Sequence, residues 1–227
     1  MGIKIHNHAS VIVAYRGREI LSNMYDGTYP KEIWRNRINF IGGGQSQEDK
    51  SPRDLLCREI HEEFSLKDRE AGAYDQTVSD IVGDGQGAPI IQNFAPKEDI
   101  DVIRNNMLDN LRPYSDFLVS IPAYKKKPQF QILFGVYSWE IPEGVFKIAE
   151  RNINQGKSLV NEGFLTISDL DGIVQGMPLT AWGTGLILED FFNINVPNKE
   201  GVSLKKLGFP KDSFEEYKGE FHNTAFP

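Results

Sequence analysis

Gly44-Gln45-Ser46-Gln47-Glu48-Asp49-Lys50-Ser51-Pro52-Arg53-Asp54-Leu55-Leu56-Cys57-Arg58-Glu59-Ile60-His61-Glu62-Glu63-Phe64-Ser65-Leu66 is the stretch that decides the fold. Gly42, Gly43 and Gly44 close an alternating segment, and a polar loop follows from Gln45 to Lys50. Ser51 before Pro52 predicts a helix start: the serine hydroxyl can accept from an orphan N–H, and proline lacks a donor that position does not use. The helix is predicted to run to Phe64 or Ser65. Leu56, Ile60 and Phe64 recur every fourth residue as an apolar stripe. Glu59, Glu62 and Glu63 fall within an arc of about 100° beside that stripe. Carboxylates this close repel one another on a bare helix. A divalent cation relieves the repulsion, and Mg²⁺ and Mn²⁺ favour hard oxygen ligands. A solvated acidic helix face is the competing reading of these three residues alone.

The glycine loop narrows the choice. With it, the sequence resembles the Nudix family, whose signature is G-x5-E-x7-R-E-U-x-E-E-x-G-U, where U is a bulky aliphatic residue. Gly44, Arg58, Glu59, Ile60, Glu62, Glu63 and Leu66 match. Lys50 stands where the family has glutamate, and Ser65 where it has glycine. The resemblance is firm over about residues 40–66. Asn161-Glu162-Gly163-Phe164-Leu165-Thr166-Ile167-Ser168-Asp169-Leu170 looks like a later segment of the same family.

The resemblance implies an α/β fold, a Nudix-type α/β/α sandwich with a mixed sheet between helices. One domain would span residues 1–227, with an insertion at about 67–128 and a C-terminal extension at about 196–227. The implied activity is hydrolysis of a diphosphate linkage in a small nucleoside diphosphate derivative, by water attack on phosphorus with Mg²⁺ or Mn²⁺. Carried over by position, Glu59, Glu62 and Glu63 are catalytic metal ligands, joined by the Gly43 carbonyl. Arg58 would orient the helix, but its usual glutamate partner is Lys50 here. Glu48 or Asp49 can take that role; alternatively Lys50 reaches the substrate phosphates. Glu162 is the candidate base or additional ligand, against a reading as a surface-loop glutamate. The alternative function is a non-catalytic Nudix-fold module that binds a nucleotide. The changes at Lys50 and Ser65 sustain that alternative, and the intact glutamates oppose it.

Charge and composition bound the partners. The chain has 25 basic and 32 acidic side chains, a net charge of −7, which argues against nucleic acid or an anionic membrane as partner. A small phosphorylated substrate remains compatible when a metal bridges like charges. Cys57 is the single cysteine, so no intramolecular disulfide can form. The N-terminal residues lack the apolar run of a signal peptide, and no stretch suits a membrane span. A reducing, cytoplasmic location is the expectation.

Working outward, Ala9-Ser10-Val11-Ile12-Val13-Ala14-Tyr15 predicts a buried strand, and residues 19–25 its hairpin partner. Residues 31–41 predict a third strand stopping at the glycines, with Ile33, Arg35, Arg37 and Asn39 on one face and Trp34, Ile38 and Phe40 near the other. Further strands are expected around residues 79–82, 117–124, 130–141 and 163–167, with a capped turn at 168–171. Helices are expected at 99–111, 145–153 and 184–192, the last with Leu186, Ile187, Phe191 and Phe192 inward. Residues 67–128 are expected to form a lid over the substrate or a homodimer contact. The stretch 196–227 is read as either packed or disordered. Gly44 to Ser51 approaches a P-loop, but Asp49 replaces the second glycine and would repel phosphate. Ser65 likewise breaks the zinc pattern begun by His61-Glu62. His6 and His8 are expected on an exposed strand.

Overall fold

The structure is a computed structural model that describes residues 7–25, 35–65, 94–122, 129–161, 164–181, 183–197 and 201–220. Strands β1 (Asn7–Arg16) and β2 (Glu19–Met24) form the predicted hairpin. Gly17 makes the turn at φ 59°, a region that side chains with a Cβ seldom adopt. The predicted third strand is divided into β3 (Arg37–Asn39), which pairs with β2, and β4 (Ile41–Gly44), which pairs with β1. The glycines therefore belong to a strand instead of ending one. The next elements are α1 (Pro52–Glu63), α2 (Lys97–Asn110), β5 (Arg112–Ile121), β6 (Phe130–Glu140) and α3 (Glu143–Asn154). Then come β7 (Phe164–Asp169), α4 (Leu170–Val174), β8 (Leu179–Thr180), α5 (Thr184–Phe192), β9 (Ser203–Gly208) and α6 (Phe214–Glu220).

The strands make one mixed sheet in the order β8-β3-β2-β1-β6-β5-β9, with β4 on β1 and β7 on β2. β1 is central: it runs parallel to β6 and antiparallel to β2 and β4. Its β-branched residues alternate between two cores, as a pleated strand requires. Ile12 and Ala14 join Leu56 and Ile60 of α1, Phe64 at its C-terminal cap, Ile103 and Met107 of α2, and Phe146 of α3. Val11 and Val13 join Leu170 and Ile173 of α4 and Ile187 and Leu188 of α5. The sheet thus carries helices on both faces. Trp139 of β6 is fully buried, and its indole N–H donates to Asn106 Oδ1 of α2 at 3.1 Å. Removing a side chain such as Ile60, 0 % exposed, should cost about 2–5 kcal/mol.

Several expectations are corrected. The described part of 67–128 holds α2 and β5, and β5 lies within the sheet between β6 and β9. Periodicity from this segment alone does not reveal that, because its partners β6 and β9 lie later in the chain. Residues 79–82 lie outside the described residues. In α5 Leu188, not Leu186, is fully buried. The stretch after residue 196 is packed where described: β9 pairs with β5, and Phe214 and Tyr217 of α6 join Leu55, Leu118 and Leu133 in a third core. His8 is buried at 1 % exposure, not exposed, because that core closes over it. His6 lies outside the described residues. No helix among the described residues is long and apolar enough to cross a membrane.

Candidate metal-binding and catalytic site

The site is assembled by β4, the loop from Gln45 to Lys50, and α1. Ser51 caps α1 as predicted, its hydroxyl accepting from the Asp54 N–H at 3.0 Å. On β4, a Cβ at Gly43 would lie 2.1 Å from Glu59 Oε2. A side chain at this position would displace the Glu59 carboxylate from where it now lies, over the strand. The stripe of Leu56, Ile60 and Phe64 seats α1 on the sheet, which places Glu59 at the rim of the core, 17 % exposed.

Arg58 joins the pieces. Its Nε and Nη2 donate to Asp49 Oδ1 and Oδ2, each at 3.0 Å. Nη2 also donates to the Gly44 carbonyl at 2.9 Å. Nη1 lies 2.8 Å from Glu59 Oε1 and 2.9 Å from Glu62 Oε2. All five guanidinium donors therefore have acceptors. Asp49, 3 % exposed, also accepts from the Ser46 N–H at 2.7 Å, so it folds the loop back on itself. Burial pushes the Asp49 carboxyl up, but the bonds from Arg58 and Ser46 outweigh it and the net shift is downward. Asp49 rather than Glu48 thus takes the place opposite Arg58. Glu48 and Lys50 are exposed.

Glu59 moves the other way. Burial raises its pKa, Arg58 opposes the rise, and the neighbouring charges of Glu62 and Asp49 add to it. A carboxylate in that condition gains from an added cation. Glu62 is 60 % exposed, and Glu63 is half-buried. Asn161 ties down the end of α1: its side-chain amide donates to the Glu62 carbonyl, and its N–H donates to the Glu63 carbonyl at 2.7 Å. Asn161 had no assigned role in the sequence, although it opens the acidic-aromatic segment quoted above. Glu162, the residue after it, lies outside the described residues. Ser65 carries no backbone strain, since the only non-glycine residues with positive φ among the described residues are Asn36 and Asn193.

Among the described residues no three His, Cys, Asp or Glu side chains are gathered so as to hold a metal ion. At this site Glu59 and Glu62 are both turned onto Nη1 of Arg58. The donor types nevertheless fit Mg²⁺ or Mn²⁺: three carboxylates, a strand carbonyl at Gly43, and no sulfur or imidazole between them. The space beside Gly43, which a Cβ would fill, admits the Glu59 carboxylate. His61 is exposed, and Cys57 is a free, half-buried thiol packed against the core. Phe40 and Trp139 are core residues.

No family model matches the chain, and no curated protein matches it.

Proposed function

We propose that this chain is a Nudix-type, divalent-metal-dependent hydrolase that cleaves a diphosphate linkage in a small nucleoside diphosphate derivative. The observation that carries the reading is Arg58, whose donors bind the glycine strand, the loop and two of the three motif glutamates into one unit. A solvated acidic helix face has no need of such a joint. Glu59, Glu62, Glu63 and the Gly43 carbonyl are the proposed metal ligands. Bound Mg²⁺ or Mn²⁺ would lower the pKa of water and offset charge developing on the phosphate oxygens. The water oxygen attacks phosphorus, the bridging P–O bond breaks, and two phosphorylated products leave. Glu162, next to the anchored Asn161, is the proposed acceptor of the water proton. Lys50, exposed and not among the partners of Arg58, is read as a tolerated surface substitution.

One observation favours the second reading, a nucleotide-binding module without turnover: Nη1 of Arg58 already compensates Glu59 and Glu62. The test is a panel of ADP-ribose, nucleoside diphosphate sugars and dinucleoside polyphosphates with Mg²⁺ or Mn²⁺, scored for mononucleotide or phosphate release. Metal-dependent release that EDTA abolishes is expected. Tight binding of a panel member with no release would favour the second reading, and neither binding nor release would sink both.

A further inference from the structure

We infer that Tyr217 and Asp116 are positioning residues for the Gln45–Lys50 loop, holding it through α6. The loop is tied at both ends to groups that α6 touches. Gln45 N–H donates to the His8 carbonyl at 2.9 Å, and the Lys50 carbonyl accepts from the Phe214 N–H at 2.9 Å. The His8 ring meets Phe214 edge-on at 4.6 Å and Tyr217 at 5.0 Å between centroids. Tyr217 is itself fixed by polar contacts. Its hydroxyl donates to Asp116 Oδ2 at 2.5 Å and accepts from the Lys211 N–H at 2.8 Å.

Asp116 carries this anchor to the start of α1. It faces Gly135 across β5 and β6. A Cβ on Gly135 would lie 3.0 Å from the Pro52 side chain, 3.2 Å from Ser10 Oγ and 3.6 Å from Asp116 Oδ1. The first residue of α1, the buried carboxylate and β1 therefore converge over one glycine. Ser10 is in turn the register partner of Gly43, the residue under Glu59. A shift of α6 would move Lys50 and His8, then Asp49, and through Asp49 the guanidinium that holds Glu59 and Glu62. A cover for Leu55, Leu118 and Leu133 would need only the apolar faces of Phe214 and Tyr217. The hydroxyl-to-carboxylate bond in the middle of that core is what marks an added role.

The ordering of the loop stands on these contacts alone, whereas its bearing on metal binding rests on the hydrolase reading. Tyr217→Phe in the full chain keeps the ring and deletes the hydroxyl. We expect the amides of residues 45–50 to exchange about 3- to 10-fold faster while those of β1 and β6 stay unchanged, the size of one lost buried hydrogen bond. The dissociation constant for Mn²⁺ should rise by a similar factor. Asp116→Asn, made separately with Tyr217 intact, keeps an acceptor for the hydroxyl and should retain most of the protection. Unchanged exchange at 45–50 with a lower urea midpoint would reduce α6 to a core cover and overturn the inference. Faster exchange with unchanged Mn²⁺ affinity would overturn the link to the site. A wild-type chain that binds no Mn²⁺ would defeat the hydrolase reading, and the exchange arm would still decide whether α6 orders the loop.

Discussion

Asp49 and Arg58, nine residues apart, meet in a two-bond fork, with Oδ1 on Nε and Oδ2 on Nη2 at 3.0 Å each. The carboxylate is 3 % exposed and the guanidinium side chain 24 % exposed, so water screens the pair only on the arginine side. Asp49→Asn should cost about 1–3 kcal/mol, below the range for a fully buried pair because Arg58 keeps solvent contact. The Asp49 pKa is depressed in the fold from 3.8. Its stabilisation is therefore present above about pH 4 and is lost as the pH falls through the lower, folded value. Urea melts should show a constant gap between wild type and Asp49→Asn from pH 7 to about 4, closing below that. A gap that widens in acid would contradict the assignment.

Lys50→Glu separates structural repair from substrate contact. With Asp49 already opposite Arg58, the exposed Lys50 has no part in that joint. We expect metal-dependent turnover of the Lys50→Glu variant to be unchanged or raised. A sharp rise in KM with an intact fold would mean that Lys50 meets the substrate phosphates.

Glu63→Gln should leave the circular dichroism spectrum and melting temperature near wild type. Turnover at saturating metal should fall by about two to four orders of magnitude. Near-normal turnover would remove Glu63 from the ligand set.

Burial lowers the His8 pKa from 6.5 to about 3, so the ring is neutral in the fold at ordinary pH. The unfolded chain binds the proton first on acidification. This contribution to stability is complete above pH 6.5 and erodes as the pH falls toward 3. The ring proton resonances of His8 should stay fixed from pH 7 to about 4.5. A midpoint near 6.5 in the folded protein would show that α6 does not seal this residue.

Much of the fold could be read from short windows of sequence, and the misreadings have identifiable causes. The helix from Pro52 was legible because its cap, its proline and its apolar stripe are all local signals. The split of the predicted third strand into β3 and β4 was not, because alternation looks the same whether consecutive residues pair with β2 or with β1. The strand status of Gly42 and Gly43 was hidden for a related reason. Glycine usually punctuates a strand, and here it admits Ser10 and Glu59 to the backbone. β5 falls inside the expected insertion and yet belongs to the sheet, because its antiparallel partners β6 and β9 come later in the chain.

The family resemblance supplied the vacancy that Lys50 leaves opposite Arg58, and residue identity and spacing were sufficient for the carboxylate helix and the shared face of Glu59, Glu62 and Glu63. Those features repeat within one or two helical turns, where covalent geometry dictates which side chains share a face. Which acid fills the vacancy was beyond that range. Glu48 and Asp49 are adjacent and chemically alike, and the loop's fold, closed by the Ser46 N–H on Asp49, turns one inward and leaves the other in water. The same holds for Asn161 at the end of α1 and Tyr217 beneath the loop. Each reaches its partner across about a hundred residues of chain, and a contact of that kind depends on how the sheet is ordered, not on local spacing.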